Sequence, residues 1–391
     1  MIGVLLFSLL LIAISADYRC RGIVPENTNY SNSTLTSVKS WTYSHDRSVW
    51  SSPAYISGDL LYFHTNNGIV KLDLATGKLL KRGPNIRSRG AWILNCPSKT
   101  NPTLVLFEFP GADSSIHFLS KDLTPIAKTT SVNPFFSLAD ETGVIFCDQR
   151  VLSRVNYDGT TVSRKSLDRC GDVLPAANGY LLSTSSSVIY MHKSFTPIWT
   201  QPIQGLRFSA SSPKNNLMFT AEYDFNQHDY HFITGWHLVG PSMVFEFKIL
   251  RLGFYEDILF LSATEDGSVV FGLGSTSSKN NPIRFGFIEL APYGYLEPRF
   301  FKTVDKGLFQ SHVVFPGSSS KQVVAISFWD QTVPVWETKV VFIDVVSGKE
   351  LGVFSEENKE GGHMVGFGDL CVAFLTKGQY NVPNTINVKC L

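Results

Sequence analysis

The sequence predicts an all-β protein built as a β-propeller of four-stranded blades, and three observations support this prediction. Short runs rich in Val, Ile, Phe and Tyr recur between turn residues along the chain, whereas helical periodicity is nearly absent. A strand-turn-strand unit near the start ends in a phrase that returns near the end of the chain. Weaker units lie between the two copies, about 45 residues apart on average. Because a blade takes ~40–50 residues, this period favours one blade per repeat.

The first unit is the clearest. Its strand at 60–63 is followed by a turn at 66–68 and a second strand at 69–72, and each glycine-containing turn reverses the chain. The unit closes at 73–78 on Asp-Leu-Ala-Thr-Gly-Lys, and residues 344–349 repeat that phrase as Asp-Val-Val-Ser-Gly-Lys. The unit therefore predicts a meander of antiparallel strands.

Five weaker units fill the middle of the chain, and each has an apolar strand before a turn. These turns are predicted at Thr124-Pro125, Asp158-Gly159, Thr196-Pro197, Gly240-Pro241 and Tyr293-Gly294. Inner hairpin strands are predicted at 104–107, 144–147, 180–182, 217–219, 269–271 and 323–326. A further strand of this kind, at 370–374, has no turn and outer strand after it.

The outer strand missing from the last unit is supplied by the other end of the chain in this interpretation. Residues 38–43 precede the first unit and resemble the last strand of a blade, so we expect them to pair beside 384–390. This closes the ring and removes the exposed sheet edges. We predict one propeller domain over 38–391 with eight blades. Seven blades, with one unit an elaborated loop, and two β-sandwiches are the alternatives.

The first residues predict a secretory signal peptide. An apolar run at 4–14 is followed by Ser15 and Ala16, which favours cleavage after Ala16. The run is shorter than the ~20 residues of a comfortable membrane span, and an uncleaved anchor is the alternative. The polar segment 17–37 then carries two glycosylation sequons, at Asn29 and Asn32. We therefore expect a glycoprotein that is secreted or retained in an endomembrane lumen.

Cysteine usage agrees with an oxidising compartment. The chain has 6 Cys, an even number compatible with three disulfides, and no Cys-x-x-Cys motif that would indicate zinc or thiol redox chemistry. Cys147 and Cys170 lie at the ends of consecutive strand groups, so we predict that they pair. The pairing among Cys20, Cys96, Cys371 and Cys390 stays open.

The charge balance excludes a nucleic-acid partner. The 34 Lys and Arg residues nearly match the 33 Asp and Glu residues, which leaves a formal charge of +1. Such a chain supplies no field that attracts phosphate backbones. No later apolar run is long enough to span a bilayer, so we expect no membrane span after signal cleavage.

Part of the chain resembles the PQQ-like, or quinoprotein alcohol dehydrogenase-like, repeat propellers. The resemblance rests on residues 41–43, 51–55, 59–63 and 68–78, with 344–349 as a second copy of the Asp-x-x-Thr-Gly-Lys hallmark. Trp41 and Trp199 stand where the outer strands of that family carry a docking tryptophan. The family's cofactor site includes adjacent cysteines that form a disulfide and a bound calcium ion, and this chain has no adjacent cysteines. The resemblance therefore implies a non-catalytic member without a cofactor, similar to those that bind partner proteins.

The densest polar and aromatic cluster lies at 222–231. We predict a contact loop formed by Tyr223, Asp224, Phe225, His228, Asp229 and Tyr230. Aromatic side chains mixed with hydrogen-bonding groups are favoured at contact sites. His228, Asp229 and His231 are alternative metal ligands, but ligation needs a loop, because alternate residues of a strand point to opposite faces. An ordinary exposed hairpin loop is the remaining alternative.

No catalytic motif is present in the sequence. We assign no catalytic, cofactor or metal residues. The most economical interpretation is a secreted or luminal propeller that binds a protein or glycan without catalysis. The alternative is a carboxylate-dependent hydrolase or lyase acting on glycans at the propeller axis, for which Glu256-Asp257 and Glu265-Asp266 offer paired carboxylates.

Overall fold

A computed structural model defines the fold. It describes residues 30–31, 35, 38–45, 55–65, 68–86, 93–97, 102–108, 115–130, 134–139, 143–148, 150–167, 171–176, 178–184, 186–223, 230–240, 242–252, 256–264, 266–275, 282–304, 307–315, 322–330, 337–357, 359–378 and 384–391. Over these residues the chain is almost entirely β-strand, with one short 3-10 turn at Pro213–Asn215.

The described strands form a propeller of eight four-stranded blades, which confirms the predicted fold and the higher blade count. Blade I comprises β3 (Tyr55–Ser57), β4 (Leu60–Thr65), β5 (Gly68–Asp73) and β6 (Leu79–Arg82), and blade II comprises β7 (Ile93–Pro97), β8 (Pro102–Glu108), β9 (Ser115–Ser120) and β10 (Pro125–Thr130). Blade III comprises β11 (Pro134–Ala139), β12 (Gly143–Asp148), β13 (Val151–Asn156) and β14 (Thr161–Ser166). Blade IV comprises β15 (Asp172–Ala176), β16 (Gly179–Ser183), β17 (Ser187–His192) and β18 (Pro197–Pro202).

Blades V to VIII continue the same order. Blade V comprises β19 (Leu206–Ser212), β20 (Leu217–Tyr223), β21 (Tyr230–His237) and β22 (Met243–Leu250), and blade VI comprises β23 (Asp257–Ala263), β24 (Val269–Gly274), β25 (Ile283–Ile288) and β28 (Arg299–Val304), with an inserted hairpin of β26 (Leu290–Ala291) and β27 (Gly294–Tyr295). Blade VII comprises β29 (Leu308–Phe315), β30 (Val323–Asp330), β31 (Glu337–Asp344) and β32 (Glu350–Glu357). Blade VIII comprises β33 (Lys359–Phe367), β34 (Cys371–Gly378), β35 (Asn384–Cys390) and β2 (Trp41–His45). A short strand, β1 (Tyr30–Ser31), adds to blade VIII.

The N-terminal strand closes the ring as predicted. β2 pairs antiparallel with β35, with Trp41 opposite Val388 and His45 opposite Asn384. The last blade is therefore assembled from both ends of the chain. A disulfide between Cys371 and Cys390 joins two facing residues of β34 and β35 in the same blade.

The hydrophobic core is divided among the interfaces between blades. The described residues form eight apolar clusters, and each cluster draws its buried side chains from two adjacent blades. Middle strands are covered on both faces, so β24 is buried along its whole length. This explains why the inner strands read as continuous apolar runs rather than as alternating ones.

The turn between the third and fourth strands has one backbone geometry in five blades. Its penultimate residue has a positive φ, between 62° and 85°, at Gly77, Leu123, Gly159, Phe195 and Gly348. Leu123 and Phe195 adopt this glycine conformation although both carry side chains, which are buried between blades. In blade VI the predicted turn at Tyr293-Gly294 is instead the tip of the inserted hairpin β26–β27.

Six outer strands contain a β-bulge just after this turn. In five of them an apolar side chain that is between 40% and 55% exposed occupies the bulge: Leu80, Ile126, Val162, Ile198 and Leu351. In blade V the bulge residue is Val244, which is partly buried. A bulge bends and twists an edge strand, and this hinders pairing of the exposed edge with another chain.

The polar N-terminal segment contributes a strand on the inside of the ring. β1 pairs parallel with the innermost strand of blade VIII, with Ser31 opposite Phe367. This strand also lies beside the inner strands of blades VII and I. Asn29 and Asn32 themselves, like the predicted signal 1–16, lie outside the described residues, so glycosylation and cleavage stay predictions.

Candidate contact surface on blade V

Tyr223 and Tyr230, which flank the predicted loop, lie on the face where one blade passes to the next. Tyr223 at the end of β20 is paired with His231 in β21, which faces Ile249 near the end of β22. Arg251 and Leu252 follow β22 at this end, and Glu256 precedes β23. We call the face that carries these residues and Tyr223 the connector face.

Of the six predicted contact residues, Tyr223 and Tyr230 belong to the described chain. Asp224, Phe225, His228 and Asp229 lie outside it, so only His231 of the three alternative metal ligands is described. The two tyrosines flank the loop as the last residue of β20 and the first of β21. They are on opposite faces of the blade, because Tyr223 shares its face with His231 whereas Tyr230 is its neighbour along the strand.

Two guanidinium groups lie over the ring of Tyr223. Cζ of Arg207 is 5.7 Å from the ring centroid and Cζ of Arg251 is 5.2 Å from it. Nη1 of Arg251 also donates to the Tyr223 hydroxyl at 3.3 Å. Arg207 is exposed because it occupies a bulge in β19, between the residues that pair with β20. The face of a tyrosine ring attracts cations, so the aromatic ring holds two positive groups at one place.

Tyr230 carries a cation on the other side of the blade. Nζ of Lys248 is 3.8 Å from its ring centroid. Tyr230, the first residue of β21, is paired with Leu250, the last residue of β22, and Lys248 lies two residues before Leu250 in β22. Both side chains therefore lie near the same end of the β21–β22 hairpin. The sequence pattern indicated the aromatic character of both ends of the predicted loop, but it did not indicate the cations that lie over the two rings.

His231 is buried beneath this surface and is uncharged near neutral pH. Its ring is 6.0 Å from the ring of Tyr223, and neither ring nitrogen has a partner of good hydrogen-bond geometry among the described residues. Burial lowers the pKa of His231 to about 4, although Asp257 acts in the opposite direction. The described residues contain no group of three His, Cys, Asp or Glu side chains able to hold a metal ion.

Glu256, which belongs to the first predicted carboxylate pair, forms an ion pair with Arg284. Its two oxygens accept Nε and Nη2 of Arg284, each at 2.8 Å, and Oε2 also accepts the backbone N–H of Leu252. The carboxylate is buried, so this ion pair keeps its charge compensated. Asp257 accepts the N–H of Ile258. Glu256 therefore links Leu252, which follows β22 of blade V, to Arg284 of blade VI.

The second predicted pair lies at the far end of the same strand. Asp266 accepts hydrogen bonds from Thr264 and from the amide of Ser268, and its other oxygen accepts Nε2 of Gln322. Glu265 lies outside the described residues. β23 has 7 residues, which at ~3.3 Å per residue place the two pairs about 20 Å apart. Paired carboxylates in glycosidases are about 5–9.5 Å apart, so these two pairs do not combine into one such site.

Asp172 is an acid on an inner strand that the sequence analysis did not identify. It is the first residue of β15, and burial raises the pKa of its carboxyl to about 6. Over the described part of the chain, burial is the only cause of this shift. Its signal in the sequence is weak, because a single Asp before an apolar run is also an ordinary strand start.

The cysteines add one result to the prediction. Cys371–Cys390 is a pair that the sequence left open. Cys147 is buried and disulfide-bonded, but its predicted partner Cys170 lies outside the described residues. The described residues also contain no helix with the length and hydropathy needed to cross a membrane.

Comparisons with known proteins identify the fold. No protein family matches the sequence, and no curated protein matches it either. Among solved structures, the Dos1 propeller superposes with a TM-score of 0.59 at 9% identity, over 91% of this chain and 95% of that chain. Hydrazine synthase from Kuenenia stuttgartiensis gives 0.41 at 9% identity over 77% and 79% of the two chains, and a eukaryotic initiation factor gives 0.46 at 10% identity over 85% and 93%. At such identities the first similarity establishes that this chain has a β-propeller fold.

Proposed function

We propose that this protein is a secreted or luminal propeller that binds a partner without catalysis, through the connector face of blade V. The observation that carries the proposal is the pair of tyrosines at the two ends of loop 224–229, each with cationic groups over its ring. Tyr and Arg are the side chains most enriched at binding hot spots. A loop on a rigid sheet scaffold is also where binding residues usually lie.

Site-specific crosslinking tests this proposal. A photoreactive phenylalanine at Tyr230 should crosslink to a partner in the secretory lumen or medium, and mass spectrometry would identify it. The matched control is the same residue at Tyr293, which is fully exposed on the opposite face. Replacing Tyr223, Phe225 and Tyr230 with Ser should then weaken binding of the purified partner without lowering the melting temperature. Equal crosslinking at both positions, or unchanged binding by the triple variant, would contradict the proposal.

A carboxylate-dependent hydrolase or lyase at the axis is the second candidate, and Asp172 is the observation that favours it. A carboxyl with a pKa of about 6 can act as a general acid near neutral pH. Glycoside hydrolysis needs a second carboxylate nearby, and among the described residues burial, not a neighbouring acid, shifts the pKa of Asp172. This favours binding over catalysis. Glycan turnover by purified protein that is abolished in Asp172→Asn would reverse the preference.

A further inference from the structure

The near-zero net charge of the chain conceals an uneven distribution around the ring. Residues 55–202, which contain blades I to IV, carry 15 Lys and Arg against 11 Asp and Glu, whereas residues 203–391 carry 15 against 19. The outer strands β6, β10 and β14 hold five basic side chains and no acidic one. In contrast, β32 of blade VII holds three acidic side chains and no basic one. The outer edge of blades I to III, which we call the basic rim, is therefore positive.

Three of these basic side chains occupy equivalent positions. Arg82, Lys128 and Arg164 each lie two residues after the bulge of their outer strand, and all three are exposed. In the other bulged outer strands the same position holds uncharged or acidic residues: Thr200 in blade IV, Glu246 in blade V and Val353 in blade VII. Cations therefore recur at one height in three consecutive blades.

The three cations are not neutralised by the described part of the chain. No described carboxylate forms an ion pair with Arg82, Lys128 or Arg164. Arg82 contacts an uncharged group, the hydroxyl of Tyr43, at 3.4 Å. An anionic ligand on the basic rim would therefore not have to displace an existing carboxylate from these side chains.

The turns that precede these outer strands carry acids, but they do not cancel the positive charge. Asp122 forms an ion pair with Lys71 at 2.9 Å. Asp73 and Asp158 each accept two hydrogen bonds from a threonine of their own turn. The turns and outer strands together, at 73–82, 121–130 and 158–166, carry seven basic and three acidic side chains. The local charge thus stays positive.

The spacing of the cations indicates the shape of the ligand. Packed sheets lie about 10 Å apart, and the blades of a ring splay outward, so equivalent positions on neighbouring outer strands are more than about 10 Å apart. One small anion does not reach two of them. The rim is also convex, so a rigid surface touches one or two blades at a time. A flexible chain with repeated anionic groups can follow the curve and contact all three.

We propose that the basic rim binds a sulfated glycan chain, whose anionic groups contact Arg82, Lys128 and Arg164 in turn. Arginine forks and a lysine ammonium are the donors that anionic oxygens favour. The predicted secretory compartment is where a protein meets such glycans. The inference shares this compartment with the proposed function but uses a different surface, since none of the three residues belongs to blade V.

The exposed apolar residues beside the cations do not favour a protein partner. Leu80, Ile126 and Val162 occupy the bulges of blades I to III, and Ile198 and Leu351 occupy the same position in blades IV and VII, which lack the cations. An exposed apolar side chain at this point is therefore a feature of the blade. The cations are what distinguishes blades I to III.

Heparin fragments of increasing length test the inference on the full mature protein by titration calorimetry. Affinity should rise steeply until a fragment spans three blades, because each further contact is then intramolecular. It should fall steeply as salt is raised. Replacing Arg82, Lys128 and Arg164 together with Gln should raise the dissociation constant of the longest fragment about 100-fold. Arg82→Lys combined with Arg164→Lys should retain most of the affinity, because the charge remains.

The matched control replaces Lys214, Lys349 and Lys389 with Gln, which removes the same charge from blades V, VII and VIII. This control should bind heparin as wild type does, and both triple variants should keep the wild-type melting temperature. Equal affinity for short and long fragments, or equal losses in the two triple variants, would overturn the inference.

The other polyanions and the proposed function are distinguished by separate measurements. Duplex DNA or phosphatidylserine vesicles that bind as tightly as heparin at the same salt would overturn the assignment to a glycan. The variant with Ser at Tyr223, Phe225 and Tyr230 should bind heparin normally. Failure of the contact surface on blade V therefore leaves the basic rim intact, and failure of the basic rim leaves that contact surface intact.

Discussion

The indole N–H of Trp41 donates to the carbonyl oxygen of Leu74 at 2.9 Å, and this bond joins the closing strand of blade VIII to the turn of blade I. The ring also covers Gly77, where an added Cβ would come within 2.6 Å of it. Trp199 repeats the arrangement between blades IV and V, since its Nε1 donates to the carbonyl of Leu238 at 3.1 Å. Both of these outer-strand tryptophans thus dock on the turn of the next blade.

Removing the closing strand should destabilise the whole ring. A chain that begins at Ser48 lacks β2, which leaves β35 as an open edge and deprives the core between blades VIII and I of Trp41 and Tyr43. We expect one cooperative transition at a clearly lower melting temperature, measured by calorimetry. A melting temperature within a degree or two of the full mature chain would contradict closure by this strand.

Alanine substitutions at two glycines should distinguish the cost of backbone strain from the cost of side-chain crowding. Gly58 and Gly77 both have positive φ, but open space surrounds the Cβ position of Gly58 whereas the Trp41 ring crowds that of Gly77. Gly58→Ala should cost about 1 kcal/mol of unfolding free energy from the backbone alone. Gly77→Ala should cost about 1–2 kcal/mol more, because the indole must also move. Equal losses in chemical denaturation would show that the ring yields freely.

Stability should fall in mild acid because of His312. Its Nε2 lies 2.9 Å from the Ser262 hydroxyl and its ring stacks on Phe260, and burial lowers its pKa from 6.5 to about 3. The unfolded protein takes up a proton on this histidine at a higher pH than the folded protein does. The free energy of unfolding is therefore not reduced by this group above pH 6.5, and it falls progressively as the pH is lowered toward 3. Between pH 7 and pH 5 the loss is about 2 kcal/mol. Urea unfolding of His312→Gln should show a flatter dependence than wild type.

The Cys371–Cys390 disulfide should stabilise the last blade. It closes a loop with a sequence separation of 19, for which the chain-entropy estimate is about 3 kcal/mol. Replacing both residues with Ser should lower the unfolding free energy by that order in denaturant titration. An unchanged free energy would mean that the pairing of β34 with β35 already restricts the unfolded ensemble.

The mature protein should have no free thiols and should begin at Asp17. Peptide mass spectrometry without reduction should recover Cys147 linked to Cys170, together with glycans on Asn29 and Asn32. Intact residues 1–16, or alkylation of six cysteines in the native protein, would contradict the predicted compartment.

Sequence pattern predicted the repeat but underestimated its regularity. The Asp-x-x-Thr-Gly-Lys phrase is recognisable at 73–78 and in changed form at 344–349. The turns of blades II and IV were predicted from Thr124-Pro125 and Thr196-Pro197, but Leu123 and Phe195 conceal that they share the same backbone geometry. Neither residue suggests a positive φ, which glycine adopts most readily. Inter-blade packing holds them in that conformation, and packing between distant segments is invisible to a local pattern.

The sequence by itself determined the all-β class, the blade period and the closing strand, because strand runs and turns depend on residues that are close along the chain. Only the tertiary structure decided the Cys371–Cys390 pairing, the inner position of β1 and the convergence of Arg207 and Arg251 on Tyr223. Those contacts depend on strand register and on how neighbouring strands and blades pack, and a one-residue change of register would turn the side chains away from each other.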